Sequence, residues 1–266
     1  MGESGIREAR VRQFKITFRD HSPVNMVKTL KNIVKQSLKH AGLNLTRYDP
    51  LRDPSKVLRT FLTRADVNLV LDVGANTGQY AKWLRQSGYT GRICSFEPLK
   101  SAFEVLRRNA AADRDWDVFN FALGAQAGTA ILNVAGNSYS SSLLGMMPRH
   151  AEAAPESGYT GSESVVVQPL DDIFSGLAAG ASGIFMKIDA QGYTREILIG
   201  ARASLHVIRG VQLEMSLTSL YEGEALIGEL ICEVARFGLS PVFIRPEFTD
   251  RETGQQLQVD GIFFKL

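Results

Sequence analysis

The sequence has little of what builds extracellular scaffolds or metal knuckles. Only two of its 266 residues are cysteine, Cys94 and Cys232, far apart in apolar runs. That excludes a disulfide framework and a zinc ribbon, and predicts two buried, reduced thiols in a cytoplasmic protein. Histidine is nearly as scarce: His21, His40, His150 and His206 are scattered without metal-ligand spacing. No apolar run approaches the ~18 residues needed to cross a bilayer, and the N-terminus lacks the apolar stretch of a secretory leader. Internal repeats are absent. What remains is a chain with 44% hydrophobic residues, enough for a sizeable core, at a length that α/β folds often reach as one unit.

The small net charge of +2 conceals an asymmetry. Residues 1–64 carry 14 Lys and Arg against 5 Asp and Glu, whereas residues 65–266 carry 16 against 23. A basic helical N-terminal extension (1–64) is therefore expected ahead of a mildly acidic catalytic domain (65–266). Within the extension, Met26, Leu30, Ile33, Val34 and Leu38 recur at helical spacing, with Lys28, Lys31, Lys35 and Lys39 on the other faces and Gly42 as a stop. Such a helix either packs on the catalytic domain or lies peripherally on an anionic membrane surface. A second helix is expected at about 56–64, after the Asp49-Pro50 and Asp53-Pro54 turns.

From residue 67 short apolar runs alternate with helical stretches: strands at 67–73, 92–96 and 116–123, helices at 78–87 and 101–111. After an interruption, strands at 183–188, 207–214, 241–245 and 261–265 and helices at 194–203 and 224–237 resume the pattern. This alternation predicts an α/β fold, a mostly parallel sheet with helices on both faces. The interruption, residues 124–169, is rich in Gly, Ser and Ala, with hairpin strands expected at 129–134 and 164–168. An excursion of that length in a compact domain usually carries substrate-binding loops.

The strand ends hold the chemistry. Val70-Leu71-Asp72-Val73-Gly74-Ala75-Asn76-Thr77-Gly78 reads as a buried strand running into a glycine turn that opens a helix, where ligands sit in doubly wound sheets. Gly74 allows close backbone approach to a ligand, and Gly78 allows close strand–helix packing. A dinucleotide fingerprint would place a second glycine at Asn76, and the spacing is also one residue short, so a pyrophosphate ligand and an NAD-dependent oxidoreductase are disfavoured. A ligand with no phosphate fits better, and S-adenosylmethionine is one. Glu97, in Phe96-Glu97-Pro98 at the next strand end, is the expected acceptor for ribose hydroxyls. Asn120 and Ala122 end the third strand beside the adenine. Gln79 and Tyr80 open the helix after the turn. Asp189, in Met186-Lys187-Ile188-Asp189-Ala190-Gln191-Gly192, and Glu214, closing Gly210–Glu214, would line one crevice beside the transferred methyl.

In these motifs the chain resembles the FkbM-type methyltransferases. The resemblance spans roughly residues 67–266 through LDVGANTGQY (71–80), SFEP (95–98), NFALG (120–124), LDD (170–172), KIDAQG (187–192) and the tail Leu257-Gln258-Val259-Asp260. It implies a Rossmann-like class I methyltransferase with a seven-stranded sheet. It also implies S-adenosylmethionine as cofactor and O-methylation of a hydroxyl, often of a sugar or polyketide in natural-product or glycolipid biosynthesis. Two positions depart from the usual pattern: Gln191 stands where Glu is commoner, and Thr194 where an acid is usual.

For the proton acceptor, Asp189 is the first candidate, then Glu214, then His150 in the middle loop. A divalent metal shared by Asp189 and Glu214 is the alternative. A non-catalytic S-adenosylmethionine-binding protein is the rival outside enzymology. The acceptor is expected to be a glycolipid sugar, with a soluble macrolide or saccharide next and no nucleic acid partner. Oligomeric state is not readable from these motifs.

Overall fold

A computed structural model of the chain describes residues 23–45 and 49–266, with side chains from Val27 onward. The chain divides into two compact units, Met1–Asp49 and Pro50–Leu266. The first contains helix α1 (Pro23–His40), which ends with basic residues in its last turn. Gly42 follows at φ 75°, and the Leu43 N–H bonds back to the Leu38 carbonyl at 2.8 Å. This left-handed closure is what a glycine just past a helix end supplies.

The second unit opens with α2 (Pro54–Arg64), capped by the Asp53 carboxylate on the Ser55 and Lys56 N–H groups, with proline at its first position. Its Leu58 and Leu62 are buried in the same cluster as Val70, Leu84 and Phe185. The boundary expected after Arg64 therefore falls earlier, because α2 contributes to the core of the second unit.

Strands β1 (Leu69–Val73), β2 (Arg92–Phe96) and β3 (Trp116–Phe119) alternate with helices α3 (Gln79–Gln86) and α4 (Lys100–Ala110). Then come β4 (Ala122–Leu123), β5 (Gly128–Ala135), α5 (Pro148–Ala153), β6 (Tyr159–Gln168) and α6 (Leu170–Leu177). The chain ends with β7 (Ile184–Ile188), α7 (Thr194–Gly200), β8 (Gly210–Ser216), α8 (Ile227–Ala235), β9 (Leu239–Thr249) and β10 (Gln256–Lys265). Seven strands form one sheet in the order β3-β2-β1-β7-β8-β10-β9, in which β10 alone runs antiparallel to its neighbours. The expected mostly parallel, seven-stranded Rossmann-like sheet is thus present.

Period-2 alternation divides the core. Leu69, Leu71, Val73, Ile184, Met186 and Ile188 face one side with Leu170 of α6, Ile197 of α7 and Leu230 of α8. Val70, Ile93 and Phe185 face the other side with Leu58 of α2, Leu84 of α3 and Leu106 of α4. Two details differ from the sequence reading. The apolar run 116–123 is two strands in two sheets, broken at Asn120-Phe121, because β4 joins a three-stranded sheet β4-β6-β5 built by the middle excursion. Cys94 is buried as expected, but Cys232 on α8 is exposed.

Candidate active site

A polar row crosses the centre of the sheet on the α3 side. Ser95, Asp72, Lys187 and Gln212 occupy matching positions on four adjacent strands. The Lys187 Nζ lies 3.4 Å from Asp72 Oδ1 and 3.3 Å from Asp189 Oδ2, and donates to the Gly74 carbonyl at 3.2 Å. Burial alone would lower the lysine pKa, but Asp189 and Asp72 hold it above its ordinary value. Its ammonium stands over the Tyr80 ring, 5.4 Å from the centroid. Asp72 itself is fully buried and accepts from the Ser95 hydroxyl at 3.1 Å.

Above this row β1 turns sharply. A Cβ on Gly74 would stand 1.8 Å from the Asp189 carbonyl oxygen, so glycine is required there by the neighbouring strand end, as well as by its φ of 72°. A Cβ on Gly78 would meet Trp116 at 2.7 Å, which bears out the close packing expected of that residue. Asn76, at φ 47°, takes a left-handed conformation that asparagine tolerates better than most residues. Its N–H donates to Glu97 Oε2 at 2.7 Å, and the Leu99 N–H donates to Oε1 at 2.8 Å. Burial pushes the Glu97 carboxyl up to about 7 in spite of these two bonds.

Two cavities lie at these strand ends. One, of about 250 Å³, is lined by Gly74, Asn76, Glu97, Ala122, Asp189 and Gln191, with Ser138, Tyr139 and Ser142 from the middle excursion. The second, of about 440 Å³, is lined by Gln79, Tyr80, Trp83, Lys187, Arg245 and Asp260. Gly74, Asn76, Tyr139, Asp189, Glu214 and Glu247 border both. In this shared wall the Gln191 amide nitrogen donates to Asp189 Oδ1 at 2.8 Å and to Glu214 Oε2 at 3.0 Å. The Tyr221 hydroxyl donates to the amide oxygen at 2.7 Å. Burial, then Asp189 and Asp260, push the Glu214 carboxyl well above the usual carboxylate range.

Of the cofactor residues expected from sequence, Gly74, Asn76, Glu97 and Ala122 line the first cavity, and Gln79 and Tyr80 the second. Asp72, Gly78 and Asn120 line neither. Asp72 sits beneath the site as the partner of Lys187. Asn120 is exposed, and its amide ties the Glu97 and Pro98 carbonyls at 2.9 and 3.0 Å, so it fixes the Glu97 turn from behind. His150 is likewise absent from both linings. It is buried against Tyr221 and Phe248, and burial lowers its pKa, so it is a neutral packing partner with no route to an acceptor. Sequence reasoning passed over Tyr139, Tyr221, Arg245 and Glu247, since nothing local marks an isolated tyrosine or a charge on an edge strand. Lys187 carried a signal, a lysine inside an otherwise apolar strand.

The shared metal is not supported. The position between Asp189 and Glu214 is taken by the Gln191 amide nitrogen, and among the described residues no cluster of three or more His, Cys, Asp or Glu could hold an ion.

The profile of the methyltransferase FkbM domain matches residues 72–240, well over half of the chain. The chain belongs to the FkbM methyltransferase family. It is therefore a methyltransferase, and of the S-adenosylmethionine-dependent kind. No curated protein matches it. Among solved structures it is similar to Burkholderia thailandensis 1,6-didemethyltoxoflavin-N1-methyltransferase, determined with 1,6-didemethyltoxoflavin and S-adenosylhomocysteine bound. That likeness has 13% identity, covers 94% of this chain and 93% of that one, and has a TM-score of 0.40. It is also similar to a methyltransferase from Aquifex aeolicus (13% identity, 83% and 100% covered, TM-score 0.39) and to TehB from Haemophilus influenzae (7%, 80% and 63%, 0.44). At such scores these likenesses bear on neither acceptor nor mechanism.

The first cavity of this FkbM methyltransferase fits its cofactor. Phe96, Ala122, Leu123 and Leu132 give an apolar end for a base. Glu97 carries a carboxylate whose remaining lone pairs suit ribose hydroxyls, and Asp189 and Glu214 give an acidic end for a cationic group.

Proposed function

We propose that the protein methylates a hydroxyl oxygen, of a sugar in a glycolipid or another secondary metabolite, with Glu214 as the proton acceptor. The reading rests on one observation. Two carboxylates from adjacent strand ends, Asp189 and Glu214, border both cavities and are spanned by a single amide. Sequence reasoning ranked Asp189 first, but its carboxylate is paired with the Lys187 ammonium. Among the described residues Glu214 has no such cation in contact, and it is held in a desolvated setting that strengthens it as a base. Asp189 and Lys187 then serve to orient.

S-adenosylmethionine, when bound, supplies a methyl group already activated on a sulfonium. The chain has to align the acceptor oxygen behind that methyl carbon and remove its proton. With S-adenosylmethionine bound, the Glu214 carboxylate would take the proton of the acceptor hydroxyl as the sulfonium gives up its methyl group and leaves as the neutral thioether. Alignment contributes on the order of 7 kcal/mol or more, and a positioned base a further ~10²–10⁴-fold. The second cavity suits a polyol: Tyr80 and Trp83 offer ring faces, and Gln212, Arg245, Glu247 and Asp260 offer donors and acceptors. Its position, sharing a wall with the first, supports its use as the acceptor pocket.

The test is to incubate purified protein and methyl-labelled cofactor with lipid and soluble extracts of a deletion strain. A product heavier by 14 mass units plus the excess mass of the label, carried on an O-methyl group, is expected. Glu214→Gln should cut turnover by ~10²–10⁴-fold while S-adenosylhomocysteine still binds. Label on nitrogen would overturn the hydroxyl reading, and near-normal turnover would remove Glu214 as the base.

A further inference from the structure

The Gln191 amide could be held in either of two orientations, and only one serves the carboxylate pair. Gln191 is strained, at φ 49° with a full side chain, in the turn Asp189-Ala190-Gln191-Gly192. Residues held in this region persist where surrounding bonds over-determine them, often at functional sites. Three side chains hold Gln191: Asp189 and Glu214 accept from its nitrogen, and Tyr221 donates to its oxygen. The Ser142 hydroxyl also donates to its backbone carbonyl at 2.6 Å. Tyr221 is fully buried in a cluster with Leu220 and Leu257, and His150 packs edge-on against its ring at 5.1 Å. Behind Gly192 the ring is so close that a Cβ there would meet the tyrosine Cβ at 2.8 Å. The tyrosine is therefore packed directly against the turn.

We infer that Tyr221 is a positioning residue that acts through Gln191. Its hydroxyl fixes the amide so that the nitrogen faces Asp189 and Glu214 and keeps both carboxylates in the wall shared by the two cavities. Burial holds the phenol protonated far above neutrality, so it is a permanent donor. A phenylalanine would keep the ring, its contact with His150 and the packing on Gly192, but would leave the amide oxygen without its fixed donor. The amide could then turn over, presenting its oxygen to two carboxylates, which favours the protonated form of Glu214. The charged groups facing Glu214 are Asp189, Asp260, Glu247 and Lys187, and none of them bonds Tyr221; the phenol also lies within electrostatic reach of Glu214 and Asp189, a direct route that a double variant with Gln191 separates from the route through the amide.

This inference rests on the proposed base only for its consequence in turnover, and its test needs no acceptor. Protein labelled with ¹³C at the glutamate carboxyls is titrated by NMR, with the Glu214 resonance assigned from Glu214→Gln. Tyr221→Phe should move the Glu214 midpoint upward by about one unit. Gln191→Met should move it by at least as much. In the Gln191→Met background, Tyr221→Phe should add nothing, because the hydroxyl has lost the group through which it acts. A midpoint unchanged by Tyr221→Phe in a folded protein would overturn the inference. So would equal, additive shifts in the double variant, which would mean that the hydroxyl acts on Glu214 without the amide. Loss of turnover in Glu214→Gln is a separate outcome, so failure of the base assignment is distinguishable from failure of the coupling.

Discussion

Glu97 offers the sharpest test of the cofactor site, and Gln is the informative replacement. Alanine would strand the Asn76 and Leu99 N–H groups, which now donate at 2.7 and 2.8 Å, and would confuse loop collapse with lost binding. Glutamine keeps the shape but offers one accepting oxygen, so its amide nitrogen confronts a backbone donor or a ribose hydroxyl. The lost charge-assisted bonds are worth ~1.5–3 kcal/mol, about tenfold to 150-fold in Kd. The wild-type carboxyl, pushed up to about 7 by burial, adds a pH signature. Its folded pKa is raised, so the proton is held more tightly in the folded chain than in the unfolded one. The resulting cost to stability is absent below about 4.5, grows as pH rises, and reaches about 3 kcal/mol above about 7. A ligand that needs the carboxylate must expel that proton, so affinity should fall by up to tenfold per unit as pH drops below about 7. Calorimetry with S-adenosylhomocysteine from pH 5.5 to 8.5, on both proteins, measures both effects. An unchanged Kd in folded Glu97→Gln, or the same pH slope in both proteins, would refute the assignment.

Gly74→Ala should destabilise by at least about 2 kcal/mol, since its Cβ would lie 1.8 Å from a backbone oxygen at a positive φ; thermal unfolding measures it, and a Tm near wild type would mean that β1 and β7 part easily. In the native protein a thiol reagent should modify Cys232 quickly and Cys94 only on unfolding, because Cys94 is buried and its thiol is pushed up to about 11; rapid labelling of both would contradict the sheet assignment of β2. We further propose that the basic helix α1 contacts anionic membranes, each lysine near the surface contributing ~1 kcal/mol at most. Replacing Lys28, Lys31, Lys35 and Lys39 with Gln should then abolish co-sedimentation with acidic vesicles, and added salt should mimic it. Vesicle binding that is absent, or indifferent to salt, would count against this role.

The sheet was legible because its strands are buried on both faces and bounded by glycine turns. Residues 92–96 were placed to the residue, and the β1–α3 turn carried both the motif and its geometry. What escaped shares a cause: partners distant in sequence. The apolar run 116–123 is continuous in composition, and only the pairing of Ala122 with Val167 reveals that it changes sheets. Helix α6 was read only as the motif LDD, since eight residues after a proline give too short a period to recognise. His150 looked like a base in a loop, and only its contact with Tyr221 shows it to be packing. Gly74 was read as making room for a ligand, and the structure adds a separate reason for glycine, because the Asp189 carbonyl that excludes a Cβ arrives from the end of a strand 115 positions later.

The charge pattern shows what the site costs the fold. Asp72, Glu97, Glu214, Glu247 and Asp260 are all raised by burial, yet among the described residues only Lys187 and Arg245 pair with carboxylates of this group. A chain selected for stability alone would replace such groups with apolar ones of similar size, because desolvation of buried charge is rarely repaid in full. Their placement is also not random. Ser95, Asp72, Lys187 and Gln212 form one row across four strands, and Asp260 is paired in register with Glu214. The row fixes Lys187, which neutralises Asp189 on one side of the shared wall. That leaves Glu214, on the other side, without a cation in contact among the described residues. Burial raises the Glu214 carboxyl, and on the proposed mechanism one crevice then holds both an orienting carboxylate, Asp189, and a proton acceptor, Glu214.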